Sequence, residues 1–130
     1  DYDSDAERIA RRYHTEFTPL KSLQRERPAG RRLVLEDTGT EHPIILSEFG
    51  GIALSADLGG TWGYSRSPSG DELGRRYAAL LGAVNDLSAL AGFCYTQFSD
   101  TYQEANGLLY ADRTPKFPLE DMARATRGER

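Results

Sequence analysis

The sequence contains a single cysteine, Cys94, which excludes an internal disulfide framework. No apolar run approaches the length of a membrane span, so a membrane is not an expected partner. No signal-peptide pattern stands at Asp1, and the expected compartment is the cytoplasm. There is no dense basic patch with interleaved aromatics, and the net charge of −4 is mild. Nucleic acid is therefore not an expected partner either. Arginine outnumbers lysine heavily, but the arginines are scattered among acids, as on a solvated surface. The two histidines, His14 and His42, stand apart from each other and from any cysteine cluster, so no zinc site is expected. The glycines form neither a G-x-G-x-x-G nor a Walker pattern, which disfavours a phosphate cradle and a small doubly wound nucleotide-binding domain. The chain opens abruptly on "DYDSDAERI" without a methionine, and is expected to be part of something longer.

What remains is 130 residues, 38% of them hydrophobic, enough for one modest folded domain segment spanning 1–130. Ser4 and Asp5 can cap a helix over Asp5 to Tyr13, with Ile9 and Tyr13 on one face. Thr15 to Gly30 reads as loop, with room for one helical turn over Leu20 to Arg25, and Arg32 to Glu36 as a short strand or extended connector. Ile44 to Ser47 reads as a buried strand, and Gly50 to Gly70 as a long glycine-rich loop. Ser69 and Glu72 have capping-box spacing. After them, Leu73, Tyr77, Leu80, Leu81, Val84 and Leu87 form an apolar stripe at helical period over Asp71 to Leu87. Leu90 to Thr96 reads as a second buried strand, with Cys94 as an inert core thiol. A second long loop over Gln97 to Lys116 leads to a last helix at Pro118 to Thr126, which Gly128 can end.

Two strands joined through one helix make a right-handed parallel unit. Both long loops then leave the C-terminal ends of strands, the edge where open α/β sheets and (β/α)8 barrels carry their sites. Glu48 sits at that edge, followed by Gly50 and Gly51. It is open to two readings: a surface carboxylate that caps the loop or pairs with an arginine, or a carboxylate held over a site. Trp62 and Tyr64, among glycines, either plug a gap or stack on a sugar face, and Tyr95 invites the same two readings.

Three stretches in order carry a resemblance: "PIILSEFGG", "LAGFCYTQFSD" and "NGLLYADRTPK". Together they resemble the C-terminal part of the catalytic barrel of family 2 glycoside hydrolases, the β-galactosidase, β-glucuronidase and β-mannosidase relatives. "DYDSD" looks like the segment that follows their sixth barrel strand. The resemblance implies strands seven and eight of a (β/α)8 TIM barrel, with their helices and long loops. It implies that Glu48, in the S/T-E-F/Y-G motif, is the nucleophile of a retaining glycosidase that needs no cofactor. Such an enzyme pairs its nucleophile with an acid/base carboxyl about 5–5.5 Å away. The family carries that acid in an Asn-Glu pair, and none occurs here: Asn85 precedes Asp86 and Asn106 precedes Gly107. The second carboxylate is therefore expected outside this chain. Tyr95 matches a position where many relatives carry a tryptophan that floors the pocket, so Trp62, Tyr64 and Tyr95 are the expected substrate-binding residues. The N-x-K motif of β-glucuronidases is replaced by Glu104-Ala105-Asn106-Gly107, which leaves β-galactoside-like substrates favoured. Asp112, Arg113 and Lys116 are expected to tie the loop to the last helix. The expected partners are a carbohydrate substrate and either the remainder of the parent barrel or another copy of the chain. The rival expectation is a non-catalytic carbohydrate-binding or self-associating module.

Overall fold

The computed structural model describes residues 1–16, 42–54 and 61–129. The first helix, α1 (Ala6–Arg11), starts where the Asp5 carboxylate accepts the Arg8 backbone N–H at 3.1 Å. That bond satisfies one of the donors a helix start leaves open. Ser4 takes no part in the cap; its hydroxyl accepts instead from Arg76 at 3.1 Å. α1 continues into a π-helical turn, Arg12–Glu16, and the expected Ile9 and Tyr13 face is buried. The expected helical turn at 20–25 and strand at 32–36 lie outside the described residues.

Two strands, β1 (Ile45–Gly50) and β4 (Gly92–Thr96), pair in parallel. Between them in sequence lie β2 (Ile52–Leu54) and β3 (Ser65–Ser67), also parallel to each other, and the helix α2 (Gly70–Asn85). The stretch expected to be wholly loop, 50–70, thus contains two short strands. Their alternation is too brief to show a period of two. The Ser69 hydroxyl accepts the Glu72 N–H at 3.2 Å, so half of the expected capping box is made. The Glu72 carboxylate turns to Arg75 at 2.6 Å, along the helix.

Every residue of the α2 stripe, from Leu73 through Val84, is buried, and Leu87 joins it just past the helix end. The stripe lies against Leu46, Phe49 and Ile52 in one hydrophobic cluster, and α1 and the last helix, α3 (Leu119–Thr126), pack on α2. Pro118 precedes α3, and Gly128 follows it at φ +70, a conformation that suits a residue without Cβ. The Gly128 and Glu129 N–H groups bond back to Ala125 and Arg124, closing the helix with a Schellman motif.

β4 departs from expectation. It is half-buried rather than buried, and Cys94 is exposed. The reason is that helices cover one face of the β1–β4 pair. Phe93 and Tyr95 point to that face, with Phe93 edge-on to Phe49 at 5.7 Å. Residues of the opposite phase, Cys94 on β4 and Ile45 on β1, face outward, and Ile45 is 59% exposed.

Candidate functional site

The register of β1 on β4 slips by one residue between Leu46 and Phe49, the signature of a β-bulge. Leu46 pairs with Phe93 and Phe49 with Tyr95, so three steps on β1 match two on β4. Both Leu46 and Phe49 therefore point into the core, and Ser47 and Glu48 are left between them, both exposed. A bulge re-aims a side chain while its flanks stay anchored. That is how an apolar strand carries a carboxylate clear of its own core.

The two glycines after Phe49 have distinct uses. Gly50 has φ +93 and Gly51 φ +73, both in the region L side chains rarely adopt. A Cβ on Gly50 would stand 2.2 Å from the Tyr95 ring, and one on Gly51 would stand 2.3 Å from the Tyr64 ring. The Gly51 carbonyl accepts the Tyr64 N–H at 2.9 Å, and its own N–H donates to Thr96 at 2.7 Å. The missing Cβ atoms thus let two aromatic rings lie on the backbone that leaves Glu48.

Three aromatic rings gather beside this backbone. Tyr2 stacks on Tyr64 with centroids 3.8 Å apart and planes at 19°. Trp62 meets Tyr64 edge to face at 4.5 Å. Trp62 and Tyr64 are 45% and 41% exposed, so flat apolar surface stays open to a ligand. The Tyr2 pKa is raised, first by hydrogen bonding with Tyr64 and then by hydrogen bonding with Glu48.

Several ties seat Tyr2. The Asp1 backbone nitrogen donates to the Glu48 carbonyl at 2.7 Å. Asp1 and Asp3 share the Arg12 guanidinium at 2.5 and 3.0 Å. Arg76 reaches from α2 to Ser4, to the Ser65 hydroxyl at 3.0 Å and to the Arg66 carbonyl at 2.6 Å. A local turn, in which the Asp1 carboxylate accepts the Asp3 N–H at 3.1 Å, brackets Tyr2, but the stack and the guanidinium ties that place its ring come from residues further along the chain.

Of the four residues singled out in the sequence, Glu48, Trp62 and Tyr64 lie in this neighbourhood and Tyr95 lies behind it. Its ring packs edge-on between Phe49 at 5.5 Å and Tyr77 at 4.9 Å, on the helix-facing side of the sheet. The Tyr95 hydroxyl is buried, and the facing Ile52 backbone does not reach hydrogen-bond geometry. Burial raises its pKa. Lys116, expected to tie its loop to the last helix, ties the loop to itself, pairing with Asp100 at 2.7 Å. Arg113 bonds the Ser99 hydroxyl, and Asp112 accepts the Thr114 N–H at 2.9 Å.

Among the described residues, no group of three or more His, Cys, Asp and Glu could hold a metal ion, and no helix is long and apolar enough to cross a membrane. No protein-family model matches the chain, and no curated protein matches it.

Proposed function

We propose that this chain is the C-terminal barrel segment of a retaining glycoside hydrolase, with Glu48 as the nucleophile that forms a covalent glycosyl-enzyme. The observation that carries the proposal is the bulge. It sets an exposed carboxylate near Tyr2 and the partly exposed rings of Trp62 and Tyr64, at the end of a parallel strand. Retaining hydrolysis asks for a carboxylate fixed in line with an anomeric carbon, and fixed position is worth several orders of magnitude in rate. Tyr2 lies in the electrostatic neighbourhood of Glu48. Tyr64 and Trp62 offer stacking faces to a sugar ring, and Tyr95 backs the site from the core side. The acid/base carboxyl comes from outside residues 1–130, and β-galactoside-like substrates are favoured. The chemistry calls for no cofactor.

The parallel β1-α2-β4 unit, with long loops after both strands, supports assignment to strands seven and eight of a (β/α)8 barrel. A non-catalytic carbohydrate-binding module is the second reading, since the exposed rings of Trp62 and Tyr64 could stack on a sugar without a catalytic pair. A fluorinated glycoside inactivator, which traps the covalent intermediate, tests the proposal on the complete protein that carries this segment. The expected result is a mass increase on a peptide containing Glu48, with turnover reduced by several orders of magnitude in Glu48→Gln. Saccharide binding with no label and no turnover would select the second reading.

A further inference from the structure

Lys116 is a cation with no accessible side-chain surface. Its Nζ donates to the Asp100 carboxylate at 2.7 Å and to the Ala105 carbonyl at 2.8 Å, and lies 5.3 Å from the centre of the Tyr110 ring. Burying an ammonium is costly, and an apolar side chain of the same volume often stabilises a fold as well or better. What the ammonium adds is direction: several donors from one point hold several acceptors in place.

The acceptors lead to Trp62. Ala105, whose carbonyl Lys116 grips, takes the Leu54 N–H on that same oxygen at 3.0 Å and donates its own N–H to the Trp62 carbonyl at 3.0 Å. The Trp62 N–H donates to Gln103 at 2.5 Å. Both backbone polar groups of Trp62 are therefore held by 103–105. That segment is closed into a tight turn by two bonds between Thr101 and Glu104, at 3.1 and 2.8 Å. Asp100, at the base of the turn, also accepts the Gly107 N–H at 2.9 Å. The Trp62 ring stays 45% exposed, so its place over the site depends on this backbone frame more than on packing of the ring.

We infer that Lys116 is a positioning residue: with Asp100 it locks the 100–107 turn, and the turn fixes Trp62 at the rim of the site. That Trp62 borders a saccharide site rests on the function proposed above; the mechanical link does not. Burial pushes the Lys116 pKa down while Asp100 pulls it up, as expected of a cation held by one partner in an enclosed place.

Trp62 is the sole tryptophan among seven tyrosines, so fluorescence excited on the red edge, beyond the tyrosine band, reports on it alone. The test compares wild type, Lys116→Met and Asp100→Asn by tryptophan anisotropy and acrylamide quenching, with far-UV circular dichroism as the control for folding. Asp100→Asn keeps an acceptor oxygen for Gly107 and Lys116 but removes the charge that holds the ammonium and makes the other oxygen an N–H donor. The expected result is unchanged circular dichroism, lower anisotropy and a quenching constant raised about twofold or more in both variants, as for local loosening. The double variant should go little beyond either single one, because the two act as a unit. Folded variants with wild-type quenching and anisotropy would overturn the inference. Should Lys116→Met not fold, Asp100→Asn decides alone, and global unfolding of both would also overturn it, marking the pair as a stability element. Loosened Trp62 in a protein that binds no saccharide supports the positioning role and removes only the sugar reading.

Discussion

At the scale of single residues, the site turns on side chains that are absent as much as on those present. Gly51→Ala puts a Cβ at positive φ and against the Tyr64 ring. It is expected to cost about 1–3 kcal/mol by chemical denaturation, with larger effects on saccharide binding than a loop substitution elsewhere. Full stability in that variant would mean the backbone relaxes without moving Tyr64. The tyrosines set an alkaline limit. Burial pushes Tyr13 up to about 12 and raises Tyr77 and Tyr95 as well, and hydrogen bonding raises Tyr2. A phenol whose folded pKa lies above its unfolded value of 10.0 stabilises the fold fully below pH 10 and loses that contribution as pH rises toward 12. Lys116, shifted down, works in the opposite direction, but it is one group against several. The melting temperature is expected to fall above pH 10, with part of the phenolate absorbance appearing only on unfolding. Reversible titration of all seven tyrosines near pH 10 with the fold intact would contradict this. The turn just after Glu48 was legible from the two glycines that follow Phe49. Tyr2 was not, because what places it is a stack on Tyr64 and a chain of bonds from Arg12 and Arg76, none of which is local in sequence.

At the scale of elements, the long periodic helix was the easiest to read, since α2 repeats its apolar stripe over several turns and buries all of it. Leu80 has no exposed surface, so Leu80→Ala should cost about 2–5 kcal/mol, read from the denaturation midpoint. Ser69→Ala should cost about 0.5–2 kcal/mol, since its hydroxyl is the acceptor at the α2 N-terminus. A Ser69→Ala loss well below that range would mean that water replaces the cap at no cost. Strands were harder. β1 was expected to end at Ser47 but runs on through the bulge to Gly50, because pairing with β4 continues on the far side of the extra residue. β2 and β3 have three residues each, too few for a period, and they exist because each satisfies the other's backbone. The apolar run "LAGFCYT" could not say which face of β4 is covered. An apolar strand reads as buried on both faces, and among the described residues the helices cover one.

At the scale of the whole molecule, the face that no described helix covers bears on activity. Ile45 and Cys94 point outward from β1 and β4 on the side away from α2, and an apolar face of this kind calls for a partner. In the proposed enzyme the partner is the remainder of the barrel, with β1 and β4 lining its interior. In the isolated chain, another copy is the expected cover. Cys94 reports directly on the cover, because an exposed thiol reacts with a disulfide reagent and a covered one does not. The purified chain is expected to react quickly at low concentration and more slowly as its mass in solution rises with concentration. The chain should also be silent toward chromogenic β-galactosides, β-mannosides and β-glucuronides. A nucleophile without its acid leaves departure of the aglycone to bulk water, forfeiting about 10²–10⁴-fold. The two measurements fail in different ways. A monomer with a freely reactive Cys94 at every concentration would show that the face needs no cover. Robust turnover would place an acid within residues 1–130. Asp100, committed to Lys116 and Gly107, is poorly suited to that part, which leaves Glu104 as the first substitution to make.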